Sequence, residues 1–278
     1  HRYLAAKHLI EGKDVLDIAC GEGYGSFVLA ETAKSVTGVD VNEETINHAQ
    51  KNYLKSNLTF MQGECAAIPL EDGSIDCVIS FETLEHHDQH EEMLREIKRV
   101  LRPSGILVLS TPDRCVYSDK PAFSNEYHVK ELSHDELESL LGQYFKYYSI
   151  LGQRIIYGSA LFGESASVPV VTYEASNVSD GAVIGLKQPV YLIAIASDVP
   201  PPSLPNSLME QSIYDSEPVA SLIALINQER EIAKKEIDRL TTLINQEREI
   251  AKKEIDRLTT LINQEREIAK KEIDRLTT

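Results

Sequence analysis

Apolar positions in residues 14–110 come as short runs separated by segments with a helical period, which is the pattern of alternating strands and helices. Val15 to Ala19, Ser35 to Val41, Leu58 to Gln62, Ile75 to Phe81 and Gly105 to Ser110 have strand length. Tyr24 to Ala33, Glu43 to Leu54 and Glu91 to Leu101 carry amphipathic helical patterns between them. That order predicts an α/β domain with a mostly parallel sheet and helices on both faces. His1 to Glu11 reads as a further helix, with Tyr3, Leu4, Leu9 and Ile10 apolar. Ser133 to Leu141 is another, opened by Ser133 with Glu136 three residues on, the spacing of a capping box. Phe145 to Leu151 and Pro189 to Ala196 are strand-like, and the weakly periodic residues 154–188 between them read as an insertion.

The pattern then changes. Pro200-Pro-Pro-Ser-Leu-Pro205 predicts a stiff linker, and Ser216 with Pro218 marks a helix start. From Leu225 an 18-residue unit, Leu-Ile-Asn-Gln-Glu-Arg-Glu-Ile-Ala-Lys-Lys-Glu-Ile-Asp-Arg-Leu-Thr-Thr, occurs three times without change, at 225–242, 243–260 and 261–278. Eighteen residues at ~100° each make about five whole turns, so every copy returns the same side chains to the same face. Leu225, Ile226, Ile232, Ala233, Ile237 and Leu240 form one stripe, with Glu231 to Lys235 and Lys234 to Asp238 as four-residue ion pairs beside it. A long helix with a wet apolar stripe is unstable alone, so a coiled-coil homo-oligomer is expected, a trimer favoured over a dimer. The predicted organisation is a globular domain over 1–198, a linker over 199–216 and a coiled-coil helix over 217–278.

Charge excludes one class of partner. The net charge is −16, and with the balanced repeats set aside residues 1–224 hold 16 basic against 32 acidic residues. Such a domain repels a phosphate backbone, so nucleic acid is not the expected partner. The four cysteines, at 20, 65, 77 and 115, show no metal-ligand spacing; no metal site is expected, and a reducing compartment is. The longest apolar runs are of strand length, too short for a membrane span. The chain starts at His1, so it reads as a piece of a longer protein.

The chemistry centres on Asp14-Val-Leu-Asp-Ile-Ala-Cys-Gly-Glu-Gly-Tyr-Gly-Ser26. Strand, glycine turn and helix follow one another here, and the N–H groups opening the helix offer donors to an anionic group. Asp40 ends the next strand nineteen residues after Gly21, where a carboxylate can accept both hydroxyls of a ribose. The spacing is G-x-G-x-G, not the dinucleotide G-x-G-x-x-G. Together with Gly63-Glu-Cys-Ala-Ala-Ile-Pro-Leu70, Asp72-Gly-Ser-Ile-Asp76, Ser80-Phe-Glu-Thr-Leu-Glu-His86 and Glu96-Ile-Lys-Arg-Val-Leu-Arg-Pro-Ser-Gly-Ile-Leu107, the turn resembles class I S-adenosylmethionine-dependent methyltransferases. The resemblance implies a Rossmann-like, mostly parallel seven-stranded sheet, with S-adenosylmethionine as cofactor. It puts Asp17, Gly21 and Gly23 at the methionine end, Asp40 at the ribose and Glu64 at the adenine. Ala19, Tyr24, Val41, Gly63, Cys65, Phe81 and Glu82 complete the implied cofactor site, and Arg2 and Tyr3 either line it or pack behind it.

Glu82-Thr-Leu-Glu-His-His-Asp-Gln-His90, at the end of the fourth strand, is rich in groups that move protons. His86 and His87 are candidates for the base if the acceptor is a hydroxyl, and His90 is expected at the surface. The loop from Ser110 to Leu132 carries aromatic and polar groups. With Phe145 to Arg154 it resembles bacterial methyltransferases that modify or terminate surface polysaccharides, including O-antigen chain-terminating enzymes. That second resemblance implies Tyr117, Asn125 and Lys130 near the acceptor, His128 among the catalytic groups, a glycan acceptor, and a cytoplasmic enzyme held at the inner membrane through a membrane-associated glycosyltransferase. A small-lipid or quinone methyltransferase and a non-catalytic scaffold stay open as alternatives.

Overall fold

The computed structural model describes residues 1–156, 171–172, 183–186, 188–209 and 217–276. Its strands are β1 (Asp14–Ile18), β2 (Ser35–Asp40), β3 (Leu58–Gln62), β4 (Ile75–Phe81), β5 (Leu101–Pro112), β6 (Tyr147–Gln153), β7 (Val171–Thr172), β8 (Val183–Ile184) and β9 (Tyr191–Ser197). Its α-helices are α1 (Arg2–Ala6), α2 (Tyr24–Leu29), α3 (Glu43–Asn52), α4 (His90–Val100), α5 (His134–Tyr144) and α6 (Glu217–Leu276). Seven strands form one sheet in the order β3-β2-β1-β4-β5-β9-β6. The first five are parallel; β9 enters antiparallel between β5 and β6.

The near-continuous apolar runs follow from burial on both faces. Successive side chains alternate: Leu16, Ile18, Val78, Leu107 and Leu109 pack with α4 and α5, whereas Val15, Cys77, Ile79, Ile106 and Val108 pack with α1, α2 and α3. Order reverses between β1 and β4, so the crevice at their C-terminal ends is where an open α/β sheet accepts a ligand.

Boundaries move by a few residues from the sequence reading. The first helix is shorter than His1–Glu11, ending at Ala6 and passing into a 3₁₀ turn, Lys7–Leu9. The helix after the glycine turn stops at Leu29, because its last carbonyls close turns with Glu31, Thr32 and Ala33. Ser133 caps α5 with the predicted box, its side chain accepting from Glu136 N while Glu136 accepts from Ser133 N. The insertion over 154–188 lies mostly outside the described residues, apart from the antiparallel pair β7 and β8. Residues 199–209 have no regular structure, and Ser216 lies outside the described residues.

The chain divides into two units, His1–Ser207 and Leu208–Thr278. Within the second, α6 is one helix of 60 residues, about 90 Å at ~1.5 Å per residue. Its stripe is open, with Ile232, Ile237 and Leu240 about half exposed and their counterparts in the next copy likewise. Among the described residues, Glu236 pairs with Arg239 and Glu254 with Arg257, three positions apart, where the sequence predicts four-residue pairs such as Glu231 with Lys235. Among the described residues no helix is long and apolar enough to cross a membrane.

Candidate active site

The turn after β1 is left-handed at three positions, Ala19 (φ 58°), Gly21 (φ 54°) and Gly23 (φ 88°). Gly23 has a second reason to be glycine: a Cβ there would lie 2.7 Å from the Phe60 ring and 2.8 Å from Ala49. The turn is fastened to β2, with Cys20 N donating to Val39 O at 3.0 Å and Gly21 N to Asp40 Oδ2 at 2.9 Å. Asp40 Oδ1 accepts from Asn42 N at 2.9 Å, so each carboxylate oxygen keeps a lone pair for a ligand. Gly63 N donates to Asp40 O at 3.0 Å, which sets Glu64, exposed, beside the same crevice. Tyr24 and Val41 expose apolar surface, at 65% and 62%.

Asp17 is placed differently. It is wholly buried; its carboxylate accepts from Ser26 Oγ at 2.6 Å and from Tyr3 Oη at 3.5 Å. In this structure Asp17 supports the turn from behind. Burial, against those two hydrogen bonds, pushes its carboxyl up to about 7.

Helix α1 closes over this region. Tyr3 meets Phe81 edge to face at 5.0 Å and lies against Gly25, where a Cβ would come within 2.0 Å of its ring. Arg2 pairs with Glu82 at 3.0 Å, donates to Gln153 at 2.6 Å and sits 4.5 Å over the Tyr191 ring. Glu82 is itself left-handed (φ 53°) and accepts from Ser110 Oγ at 2.8 Å. Strain in a non-glycine residue at the end of β4 is typical of a ligand site and is not encoded in any local motif.

The histidines separate by tautomer. A carbonyl only accepts, so the 2.9 Å bond of His86 Nδ1 to Tyr127 O puts the proton on Nδ1 and leaves Nε2 with a lone pair on an exposed ring. His87 is the reverse: its Nδ1 accepts from Gln89 N at 3.2 Å, and its Nε2 faces Cys65 Sγ at 3.4 Å. Burial, then His90 and His86, lower its pKa, and its Nε2 is braced against Cys65. The surface position expected for His90 is corrected: it is 3% exposed and donates from Nε2 to Leu84 O and His87 O, both at 2.8 Å. His128 donates from Nδ1 to Glu131 at 2.5 Å and accepts from Asn125 Nδ2 at 3.0 Å, with the Tyr117 ring stacked on it at 5.3 Å. The Lys130 side chain lines an open groove between α4 and α5 with Asp88 and Glu91, while its backbone N donates to Glu85 O.

One residue escaped the sequence reading. Glu85 is 1% exposed, accepts from Thr111 Oγ1 at 3.1 Å, and has donor atoms of His86 and His128 within 4.8 Å. Burial first, then the nearby Glu82, raises its carboxyl to about 7. Its position beside His86 was visible in Glu85-His86, but its proximity to His128, 43 residues away, was not.

Residues 16–109 match the family model described as a methyltransferase domain. A protein of Mycolicibacterium smegmatis, named as a probable S-adenosylmethionine-dependent methyltransferase, is 38% identical over 142 residues, 50% of this chain and 54% of that protein. A Mycobacterium tuberculosis protein of the same description is 42% identical over 132 residues, 46% and 47% of the two chains. Residues 16–109 thus belong to a methyltransferase domain. The fatty-acid O-methyltransferase of M. smegmatis is 36% identical over 103 residues, 36% of this chain and 38% of that one. The chain spans about half the length of the curated relatives it matches. In fold, the methyltransferase domain is similar to an S-adenosylmethionine-dependent methyltransferase of Thermotoga maritima (TM-score 0.51, 20% identity, 71% of this chain and 88% of that one). The YcgJ protein of Bacillus subtilis is comparable (TM-score 0.50, 18% identity, 72% and 98%).

The residues present fit S-adenosylmethionine. A carboxylate with free lone pairs at the end of β2, a left-handed turn whose glycine no Cβ could replace, and exposed apolar surface at Tyr24 and Val41 match a ribose, an amino-acid tail and a purine. When bound, the cofactor supplies an electrophilic methyl on sulfur; Asp40 and the Ala19–Gly23 turn would hold it.

Proposed function

We propose that the methyltransferase domain acts on oxygen, activating an acceptor hydroxyl at the cluster of Glu85, His86 and His128. The observation that carries this reading is that cluster, at the C-terminal end of β4 and beside the strained Glu82. Methyl transfer from a sulfonium is an in-line displacement, for which the protein supplies chiefly alignment. A hydroxyl must in addition shed a proton, and His86 offers a lone pair on a ring whose tautomer is fixed by Tyr127 O.

We propose a glycan as the acceptor, as the resemblance to polysaccharide-modifying enzymes implies. A flat stack of Tyr117 on His128, edged by Asn125 and Glu131, offers a ring face and polar groups of the kind a sugar requires. The three repeats are proposed to join copies of the chain, three over two, and to space the active sites from a membrane-associated glycosyltransferase. A second reading, a lipid acceptor, is favoured by the similarity to the fatty-acid O-methyltransferase and by Phe123, Tyr127 and Val129, which expose 51%, 70% and 65% of their surface.

Labelled S-adenosylmethionine offered with oligosaccharides, with the same sugars bearing a terminal phosphate, and with a fatty acid in micelles separates these readings. The expected result is label on the unphosphorylated sugar, reduced ~10²-fold or more in His86→Ala and only a few-fold in His87→Ala. Label confined to the phosphorylated sugar and unaffected by His86→Ala would overturn the hydroxyl reading, and label confined to the fatty acid would establish the lipid one.

A further inference from the structure

We infer that Glu85, His86 and His128 form a binding site for a divalent cation, which would hold the acceptor oxygen. This rests on the oxygen-acceptor reading above and changes its agent: the free His86 nitrogen would hold the ion, and the ion, in place of His86 as base, would activate the hydroxyl. One carboxylate and two imidazoles offer donor atoms that all lie within 4.8 Å of one another, the span of a single coordination sphere. Two imidazoles and a carboxylate occupy one side of an ion and leave the other positions open to an oxygen ligand.

The surroundings are those of metal ligands. A ligating histidine ordinarily donates its second N–H to a carbonyl or carboxylate, which fixes its tautomer and turns the other nitrogen to the ion. Both rings do so: His86 Nδ1 donates to Tyr127 O at 2.9 Å, and His128 Nδ1 to Glu131 at 2.5 Å. The remaining nitrogen of each is Nε2. The elements carrying the ligands are also tied together by backbone, with Val129 N and Lys130 N donating to Glu85 O at 2.7 and 3.1 Å. The ring tautomers and these backbone ties are therefore in place before any ion arrives. An ion would take the place of the Asn125 amide, which donates to His128 Nε2 at 3.0 Å. A second grouping, His134, Asp135 and Glu138, is wholly exposed and serves as a control.

Such an ion lowers the pKa of a bound hydroxyl. The acceptor O–H would lose its proton to solvent on binding. The oxygen would then form a bond to the methyl carbon as the carbon–sulfur bond breaks, its electron pair staying on sulfur and turning the sulfonium into a neutral thioether. The mixed nitrogen and oxygen donor set suits Mn²⁺ or Co²⁺ better than Ca²⁺.

The test is titration of the chelator-treated full chain with Mn²⁺ by calorimetry, and with Co²⁺ by its visible absorption. The expected result is one ion per chain, lost in His86→Ala and in His128→Ala, both checked for retained circular dichroism, and unchanged in His134→Ala. Glu131→Gln keeps all three ligands and is expected to weaken binding ~10- to 100-fold by releasing the His128 ring. No stoichiometric binding, or binding that survives both ligand variants or vanishes in His134→Ala, would overturn the inference. Binding is read apart from activity, so an ion bound by a chain that labels no hydroxyl would sink the oxygen-acceptor reading alone. Full hydroxyl methylation by the chelator-treated chain would sink the metal alone.

Discussion

Replacing Asp17 by asparagine should change how the stability of the globular unit depends on pH. Asp17 is wholly buried, and its carboxyl titrates near 7 in the fold against 3.8 in the open chain. Between those values the folded state holds a proton that the unfolded state has released, so stability falls as pH rises through that window. Each unit of difference is worth about 1.4 kcal/mol, so the full penalty approaches ~4 kcal/mol and levels off above pH 7. About 3 kcal/mol of it lies between pH 5 and pH 8. The amide introduced by Asp17→Asn would keep the shape and still accept from Ser26 Oγ but cannot ionise, so the variant should gain on wild type as pH rises. Urea unfolding of both proteins at half-unit steps from pH 5 to pH 8 measures the difference directly. A stability difference that stays flat across that range would refute the reasoning. It would mean that water or a cation reaches the carboxylate and that Asp17 is ionised in the fold. The same linkage predicts that a cationic ligand bound near Asp17 releases protons, readable as buffer-dependent heat when S-adenosylmethionine is titrated at pH 7.

Two further outcomes follow from close contacts and from the open stripe. Gly25→Ala would set a methyl 2.0 Å from the Tyr3 ring, forcing α1 off the crevice; a loss of roughly 1–3 kcal/mol in thermal unfolding and weaker cofactor binding are expected, and unaltered binding would show that α1 plays no part in it. Ile232, Ile250 and Ile268 are equivalent positions of the three copies, all more than half exposed; changing all three to Lys removes roughly 1.5–3 kcal/mol of apolar burial per site from any helix pairing, so sedimentation should shift to the monomer and α6 should lose circular dichroism. An unchanged sedimentation coefficient would mean that the stripe pairs with nothing.

What the sequence revealed and what it hid divide along physical lines. The strands of the parallel half were legible because burial on both faces makes them apolar throughout, and the glycine turn because Gly21 and Gly23 take φ angles other residues avoid. Ala19 and Glu82 take such angles too, but nothing in an alanine or a glutamate announces strain. His86 and His87 looked equivalent as letters, and His90 looked like a surface residue although it is buried. Their roles were set by which carbonyl or N–H each ring nitrogen meets, information carried by Tyr127, Gln89 and Leu84 only after folding. Asp17 was legible as important, but its complete burial was not, since a pattern cannot tell a side chain facing a crevice from one buried behind it. Glu85 was missed because it lies beside the obvious histidine while its other partner, His128, arrives from a distant loop.

On the proposed reading, that loop is where one scaffold would be fitted to different acceptors. Both its ends are pinned: Asp113 bridges to Leu132, Arg114 N donates to Leu132 O at 3.0 Å, and Asp113 N donates to Val190 O at 2.9 Å. Near its close, the Val129 and Lys130 N–H groups hold Glu85 O, so His128 is placed from the β4 side, while Phe123 in the tip reaches it only through Tyr117. Between these anchors Lys120 to Ser124 are exposed. Their replacement would cost little stability, since few buried contacts are lost, yet would change what an incoming acceptor meets. On the proposed reading, chemistry and selectivity would then be carried by separable parts of one loop. A tip exchanged over 120–124 should retain both cofactor binding and the His86 dependence of turnover while altering the acceptor. Loss of turnover with every acceptor, in a chain still folded and binding S-adenosylmethionine, would show instead that the tip holds His128 in place.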